Sequence, residues 1–112
     1  MNPTTVYHLV LPAWWETFTD KNYYESETLQ EEKFIHFSTH EQINGTLANY
    51  FKGVQRIFLL HIDSTKLTSP LIFEDLFGTG ISFPHLYGRL NKEAVFEVQE
   101  VLANADGNLV ME

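Results

Sequence analysis

The sequence contains no cysteine, few basic residues and no long apolar segment. Without cysteine it can form no disulfide, thiolate zinc site or cysteine nucleophile. Its 7 lysines and arginines do not cluster and its net charge is -8, which argues against nucleic-acid and anionic-membrane partners. No apolar stretch approaches the ~18 residues of a membrane helix, and no secretory signal is visible at the N-terminus. We therefore expect a cytoplasmic protein.

The composition of the 112-residue chain is typical of a packed domain. A hydrophobic fraction of 44% and an aromatic fraction of 14% supply enough apolar surface for one core without disulfides. No linker, repeat or low-complexity stretch divides the chain. We predict a single domain over residues 1–112.

Apolar, β-branched runs bounded by turn signals predict strands along most of the chain. The predicted strands lie at 5–11, 34–37, 56–63, 71–73, 83–87 and 94–102. Asp106-Gly107 predicts a turn into a short final strand. The segment 56–63 is apolar on both faces, which is typical of a central strand.

Helices are predicted in the gaps between these strands. One begins at Pro12 and extends over 12–20. Ser38 and Glu41 match a capping box and predict a second helix over 39–52. The segment 21–33 is predicted to be irregular, with one turn of helix near 26–31. The fold class is α+β, dominated by sheet, with two or three short helices.

Two strand-forming segments each place one histidine in an apolar run: Phe34-Ile35-His36-Phe37-Ser38-Thr39 and Phe83-Pro84-His85-Leu86-Tyr87-Gly88. A buried imidazole needs a polar partner or a ligand. Alternation puts His36 on one face with Ser38, and His85 on one face with Tyr87. If these strands adjoin the first strand, which carries His8, three imidazoles converge on one pocket. Such a set can perform acid–base chemistry or donate to a bound anion.

Each of these residues also fits a structural role. His8, His36 and His85 fit half-buried side chains that bond backbone carbonyls. Ser38 fits a helix cap, since no GxSxG elbow surrounds it; a helix start there also sets exposed amides where a phosphate or carboxylate can bind. Glu74 is the best-placed acid but also fits a solvated strand end. A metal site built from His36, His85 and Glu74 is a third interpretation.

The motifs resemble those of the domain-of-unknown-function 952 family over residues 6–102. The resemblance rests, in chain order, on Tyr7-His8, Trp15, Phe34-Ile35-His36-x-Ser38-Thr39-x-x-Gln42, Leu59-Leu60-x-Ile62-Asp63, Leu67, Glu74, Phe83-Pro84-His85-Leu86-Tyr87-Gly88 and Ala94-Val95. It is specific because several separated motifs occur in order. The family has no established biochemical role.

The family is similar in fold to the ADP-ribosyltransferases and the RNA 2'-phosphotransferases, which share an NAD-binding core. The resemblance implies two small, mostly antiparallel sheets packed as in the ADP-ribosyltransferase fold. The resemblance implies that His8 matches their first-strand element and that His36-Phe37-Ser38-Thr39 matches the second. The third strand would be 83–87, which lacks the catalytic glutamate of those transferases, and Glu74 lies too early to replace it. A divergent transferase is therefore left open, while the acidic charge counts against an RNA substrate.

These observations lead to two hypotheses. The first is a cleft that binds a small phosphate-bearing or nucleotide-like ligand, NAD among them. In it His36 and His85 hold the anion as the catalytic pair, and a ring stacks on Tyr87 or a tryptophan. The other ligand-binding residues are His8, Ser38, Thr39, Tyr87 and Glu74. The alternative is a non-catalytic module that keeps the cleft and binds a protein partner through its aromatic rim.

Overall fold

Short strands alternate with shorter helices in the computed structural model, which describes residues 4–111. Residues 1–3, on which the prediction of an N-terminus without a secretory signal partly rests, and residue 112 lie outside the described part. The strands are β1 (Thr5–Val10), β2 (Tyr23–Tyr24), β3 (Ile35–His36), β4 (Arg56–Asp63), β5 (Leu71–Glu74), β6 (Phe83–Leu86), β7 (Leu90–Asn91) and β8 (Val95–Leu102).

The three α-helices of the described residues are α1 (Pro12–Glu16), α2 (Leu29–Glu32) and α3 (Ile43–Tyr50), and single 3-10 turns lie at His40–Gln42, Ser64–Lys66 and Lys92–Ala94. None of these helices is long and apolar enough to cross a membrane. Helix α1 begins at Pro12 as predicted but ends four residues early. The reason is local: the hydroxyls of Thr17 and Thr19 donate to the carbonyls of Trp14 and Glu16 at 2.7 Å, which favours turns over continued helix.

All strand pairs are antiparallel, and the α+β class with few short helices is confirmed. The prediction of two sheets is incomplete, because the described residues form three: β1-β4-β8, β3-β6-β5 and the pair β2-β7. The third sheet includes Tyr23–Tyr24, which lies in the segment predicted to be irregular. Tyr24 pairs with Leu90 and Tyr23 with Asn91, 66 and 68 residues away along the chain, so no local pattern indicates the pairing.

Strand β4 is central to its sheet and is covered on both faces, as its continuous apolar run predicts. One face packs Leu60 and Ile62 against a core that includes Tyr24, Ile35 and Leu86. The other face packs Ile57 and Leu59 against α3. Helix α3 contributes Ile43 and Leu47 to this second part of the core.

A single β-bridge joins the first sheet to the strand that carries His36. The amide of Tyr7 donates to the carbonyl of Ser38 at 2.9 Å, and the amide of Ser38 donates to the carbonyl of Tyr7 at 2.7 Å. Because both backbone groups of Ser38 are used, it stays extended. The predicted capping box at Ser38 and Glu41 is therefore wrong: the box forms one residue later, between Thr39 and Gln42.

The predicted final strand is also wrong, because the chain after Gly107 forms no ladder within the described residues. The Asn44 side chain bonds Met111 instead, donating to its carbonyl at 2.8 Å and accepting from its amide at 2.7 Å. Leu109 is buried against α3. A side-chain amide thus satisfies backbone groups that a strand partner would otherwise satisfy.

Candidate binding cavity

One cavity of about 340 Å³ opens between β1, β3, β6, α3 and the loop that follows β5. Its histidines and aromatic residues are His8, Phe34, His36, Tyr50, Phe51, Phe77 and His85. Its other lining residues are Leu9, Thr28, Glu32, Ser38, Thr46 and Leu76. The structure thus brings together four residues singled out in the sequence: His8, His36, Ser38 and His85. Thr39, Glu74 and Tyr87 are not among the lining residues.

His36 and His85 are register partners on the paired strands β3 and β6. Their ring centroids are 5.3 Å apart. The Nε2 atom of His36 is buried and has no hydrogen-bond partner within residues 4–111. Burial and the neighbouring His85 lower the pKa of His36, and the nearby Glu32 carboxylate opposes them. His36 therefore favours its neutral form and keeps one polar atom unsatisfied.

His85 is buried, and its ring is hydrogen-bonded to the Glu74 carboxylate. The Nδ1 atom of His85 lies 2.9 Å from Oε1 of Glu74, and the Tyr87 hydroxyl donates to the same oxygen. Since a carboxylate only accepts, Nδ1 of His85 must carry a proton. The Phe34 ring stacks on His85 with centroids 4.0 Å apart. Orientation of His85 is therefore set by both a hydrogen bond and a stack.

The hydrogen bonds to Glu74 shift the pKa values of Glu74 and Tyr87 in opposite directions. The Tyr87 hydroxyl, and after it His85, lower the pKa of Glu74. The same contact with Glu74 raises the pKa of Tyr87. Glu74 and Tyr87 thus act on the cavity through His85 and not by lining it.

His8 lines the cavity but has both ring nitrogens bonded inside the protein. Nδ1 donates to the carbonyl of His36 at 2.7 Å, and Nε2 accepts from the Tyr24 hydroxyl at 2.9 Å. Burial lowers the pKa of His8 to about 4 and raises that of Tyr24. His8 is therefore a neutral link that positions the backbone of His36, and it has no nitrogen left for a ligand.

Ser38 and Thr39 differ in what their side chains touch. The Ser38 hydroxyl lies in the cavity wall, 3.1 Å from the Thr46 hydroxyl on α3. Thr39 donates its amide to the Gln42 side chain at 3.0 Å as part of the capping box. The pair of hydroxyls at Ser38 and Thr46 can still bond a ligand, because each oxygen has acceptor capacity to spare.

The geometry does not favour the metal interpretation. Among the described residues no three histidine, aspartate or glutamate side chains are grouped so that they could hold a metal ion. Glu74 bonds Nδ1 of His85 from β5, whereas His36 lies on β3, at the opposite edge of β6. The three side chains proposed as ligands, His36, His85 and Glu74, therefore do not converge on one point.

The family model described as "Protein of unknown function (DUF952)" matches residues 9–98. The chain belongs to the DUF952 family. It is similar to protein CC0527 from Caulobacter crescentus, whose crystal structure is 30% identical and has a TM-score of 0.85, covering 96% of this chain and 94% of that one. The chain is also similar to a double mutant of CC0527, with 30% identity, a TM-score of 0.84 and coverage of 96% of this chain and 94% of that one. The solution NMR structure of CC0527 is 31% identical, has a TM-score of 0.81 and covers 95% of this chain and 91% of that one. No curated protein matches the chain.

Several lining residues of this DUF952 chain were not singled out from the sequence. Tyr50 and Phe51 share one face of the helix predicted over 39–52 with Ile43 and Leu47, a pattern that predicts core packing. Helix α3 ends at Tyr50, however, and both residues line the cavity. Phe77 lies in a glycine-containing loop and is 80% exposed, although it also borders the cavity. Glu32 has no pattern that marks it. The one available signal was Phe77, because a large aromatic residue in a polar loop requires an explanation.

Proposed function

We propose that this protein binds a small, nucleotide-like ligand whose ring enters the cavity between His36 and His85. The observation that carries the proposal is that His36 lines the cavity while its Nε2 atom is buried without a hydrogen-bond partner within residues 4–111. A buried polar atom left unsatisfied costs about 1–3 kcal/mol, and such atoms are rare in native structures outside functional sites. A ligand donor or acceptor at this position removes that cost.

The size and lining of the cavity support a planar ligand. Its volume of about 340 Å³ lies at the lower end of the range for small-molecule sites, which is roughly 300–1,000 Å³. Phe34, Tyr50 and Phe77 offer aromatic surfaces on which a ring can stack. The Nε2 atom of His85 and the hydroxyl pair at Ser38 and Thr46 supply further hydrogen-bonding groups.

NAD and ADP-ribose are the first ligands to test, because the motifs resemble those of proteins related to ADP-ribosyltransferases. The placement of His8 beside the His36-Phe37-Ser38-Thr39 segment supports this relationship. We propose binding and not group transfer. The Phe83–Leu86 strand carries no glutamate, and Glu74 bonds His85 and Tyr87 from β5, which flanks β6 on the side opposite to the strand of His36. The cytoplasmic location stays a prediction from the sequence.

Titration of the full chain with NAD, ADP-ribose and inorganic phosphate, followed by NMR of the imidazole signals, tests the proposal. We expect NAD or ADP-ribose to shift the signals of His36 and His85 and not that of His61, which bonds Gln99 at 2.8 Å outside the cavity. His36→Ala should weaken binding by roughly tenfold, as expected for one lost hydrogen bond to a buried group. His61→Ala is the matched control.

Absence of any shift across this panel would contradict the proposal. His85→Ala removes a stacked, buried ring, so its melting temperature must be measured with its affinity. If both His36→Ala and His85→Ala unfold the chain, the imidazoles are structural.

A second function is favoured by the exposed apolar side chains of β5 and the loop that follows it. They are Ile72, Phe73, Leu76, Phe77 and Ile81. Soluble chains seldom cluster exposed apolar groups without a partner. In this alternative the segment binds a protein and the cavity is vestigial. This alternative is supported if the titration with NAD, ADP-ribose and phosphate shifts no imidazole signal, and if a protein partner binds the native chain but not Phe73→Ser.

A further inference from the structure

The fixed charge in the lining of the cavity is negative. No lysine or arginine of residues 4–111 lines it, and its one charged side chain is the carboxylate of Glu32. The Glu74 carboxylate, which bonds Nδ1 of His85 at 2.9 Å, places a second negative group next to the ring of a lining residue. His36 favours its neutral form, because burial and the neighbouring His85 lower its pKa. An anion therefore finds no fixed positive charge in this cavity.

The aromatic lining adds negative electrostatic potential to that of Glu32. Aromatic faces attract cations, most strongly where water is excluded. Phe34, Tyr50, Phe51 and Phe77 border the same space as Glu32. The net charge of -8 raises the local concentration of cations around the whole chain.

We propose that the cavity selects a planar, positively charged group, such as an amidinium or a protonated heterocycle, with Glu32 as the residue that determines this specificity. Glu32 lies at the C-terminal end of α2 and close enough to His36 to influence its ionisation. A planar cation can stack on the aromatic lining and pair with Glu32. This inference rests on the proposed ligand-binding function and names the chemical class of the group that enters.

Three compounds with the same ring and different charge test the proposal: benzamidine, benzamide and benzoate, with inorganic phosphate as a fourth probe. Dissociation constants for the full chain are measured at neutral pH by NMR. We expect benzamidine, which is cationic there, to bind roughly tenfold more tightly than benzamide, and benzoate and phosphate to bind most weakly.

Two glutamates of α2 provide matched variants. Glu32→Gln should remove most of the preference for benzamidine over benzamide and leave the affinity for benzamide unchanged. Glu31→Gln changes the net charge equally, but Glu31 does not line the cavity, so it should retain the preference. If both variants lose the preference equally, the effect is one of net charge, and the assignment to Glu32 is wrong.

The outcomes separate this inference from the proposed function. Tighter binding of benzoate or phosphate than of benzamidine overturns the charge selection and leaves the cavity as a ligand site. Charge selection is likewise overturned, and the cavity remains a ligand site, if benzamidine shifts no signal while NAD or ADP-ribose shifts those of His36 and His85. If every compound of both panels leaves those signals unchanged, both the charge selection and the ligand-binding function are wrong.

Discussion

His36 and His85 lie opposite each other on β3 and β6 with their ring centroids 5.3 Å apart, and only His85 has a carboxylate partner. Glu74 fixes the orientation and the protonated nitrogen of His85. His36 has no comparable partner among residues 4–111, and its Nε2 atom is buried and unsatisfied. The pair is therefore asymmetric: one imidazole is bonded to a carboxylate, and the other keeps an unsatisfied nitrogen.

Replacing His36 by phenylalanine should stabilise the fold. The substitution removes a buried atom without a partner and keeps a ring of similar size, and the neighbouring cavity accommodates the difference. We expect the free energy of unfolding to rise by roughly 1 kcal/mol, measured by urea denaturation at neutral pH. His61→Phe is the control: it loses the bond to Gln99, so it should give no gain. A destabilised His36→Phe chain would show that Nε2 has a partner in solution.

Removing the Tyr87 hydroxyl should raise the pKa of Glu74. That hydroxyl is the largest cause of the low pKa, so in Tyr87→Phe the value should move towards the ordinary 4.5. The rise should be partial, since the bond from His85 is kept. Titration of the Glu74 side-chain carbon signal by NMR measures it, with Tyr23→Phe as the control. An unchanged titration would mean that Tyr87 does not donate to Glu74.

The fold should lose stability in acid because of His8. Its pKa falls from 6.5 when unfolded to about 4 when folded, so the unfolded chain binds a proton first as the pH falls. This contribution to stability is complete above pH 6.5 and is lost between there and about pH 4. The total loss is about 3 kcal/mol. Urea denaturation at a series of pH values measures it.

The variant His8→Leu separates this effect from other acid-sensitive groups. It should be less stable at neutral pH, since Tyr24 and the carbonyl of His36 lose their partner. Its stability should nevertheless change less between pH 6.5 and 4 than that of the native chain. The exposed His40, replaced by glutamine, should leave the native pH profile intact. Equal slopes for His8→Leu and the native chain would contradict the link.

Alanine should have opposite effects at two glycines. Gly88 has φ +152, and a Cβ there would overlap the Ser69 side chain, so Gly88→Ala should destabilise by roughly 1–3 kcal/mol. Gly45 lies inside α3 with nothing within 4 Å of its added Cβ, so Gly45→Ala should stabilise by roughly 0.5–1 kcal/mol. Thermal and urea denaturation measure both. Adding Ser69→Gly to Gly88→Ala removes the overlap with the Ser69 side chain, so it should restore only part of the lost free energy of unfolding. Full restoration would show that the backbone of residue 88 is unstrained.

Local sequence patterns were sufficient where a segment is apolar throughout or alternates strictly. The bounds predicted for β4, Arg56–Asp63, are those observed, because its burial on both faces requires only an uninterrupted apolar run. Patterns failed where two neighbouring residues satisfy the same rule. Ser38 and Thr39 both fit a cap, and the choice depends on Tyr7, which uses the backbone of Ser38 in a bridge.

The sequence by itself determined that His36 and His85 lie on strands, on the same side as Ser38 and Tyr87 respectively, because alternation is a property of the extended backbone. Only the tertiary structure decided which of the ring nitrogens is available. His8 takes its partners from residues 16 and 28 positions away, and His85 takes Glu74 from 11 positions away. These hydrogen bonds depend on how separate strands align, and strand register is set by the packing of the whole core rather than by neighbours along the chain.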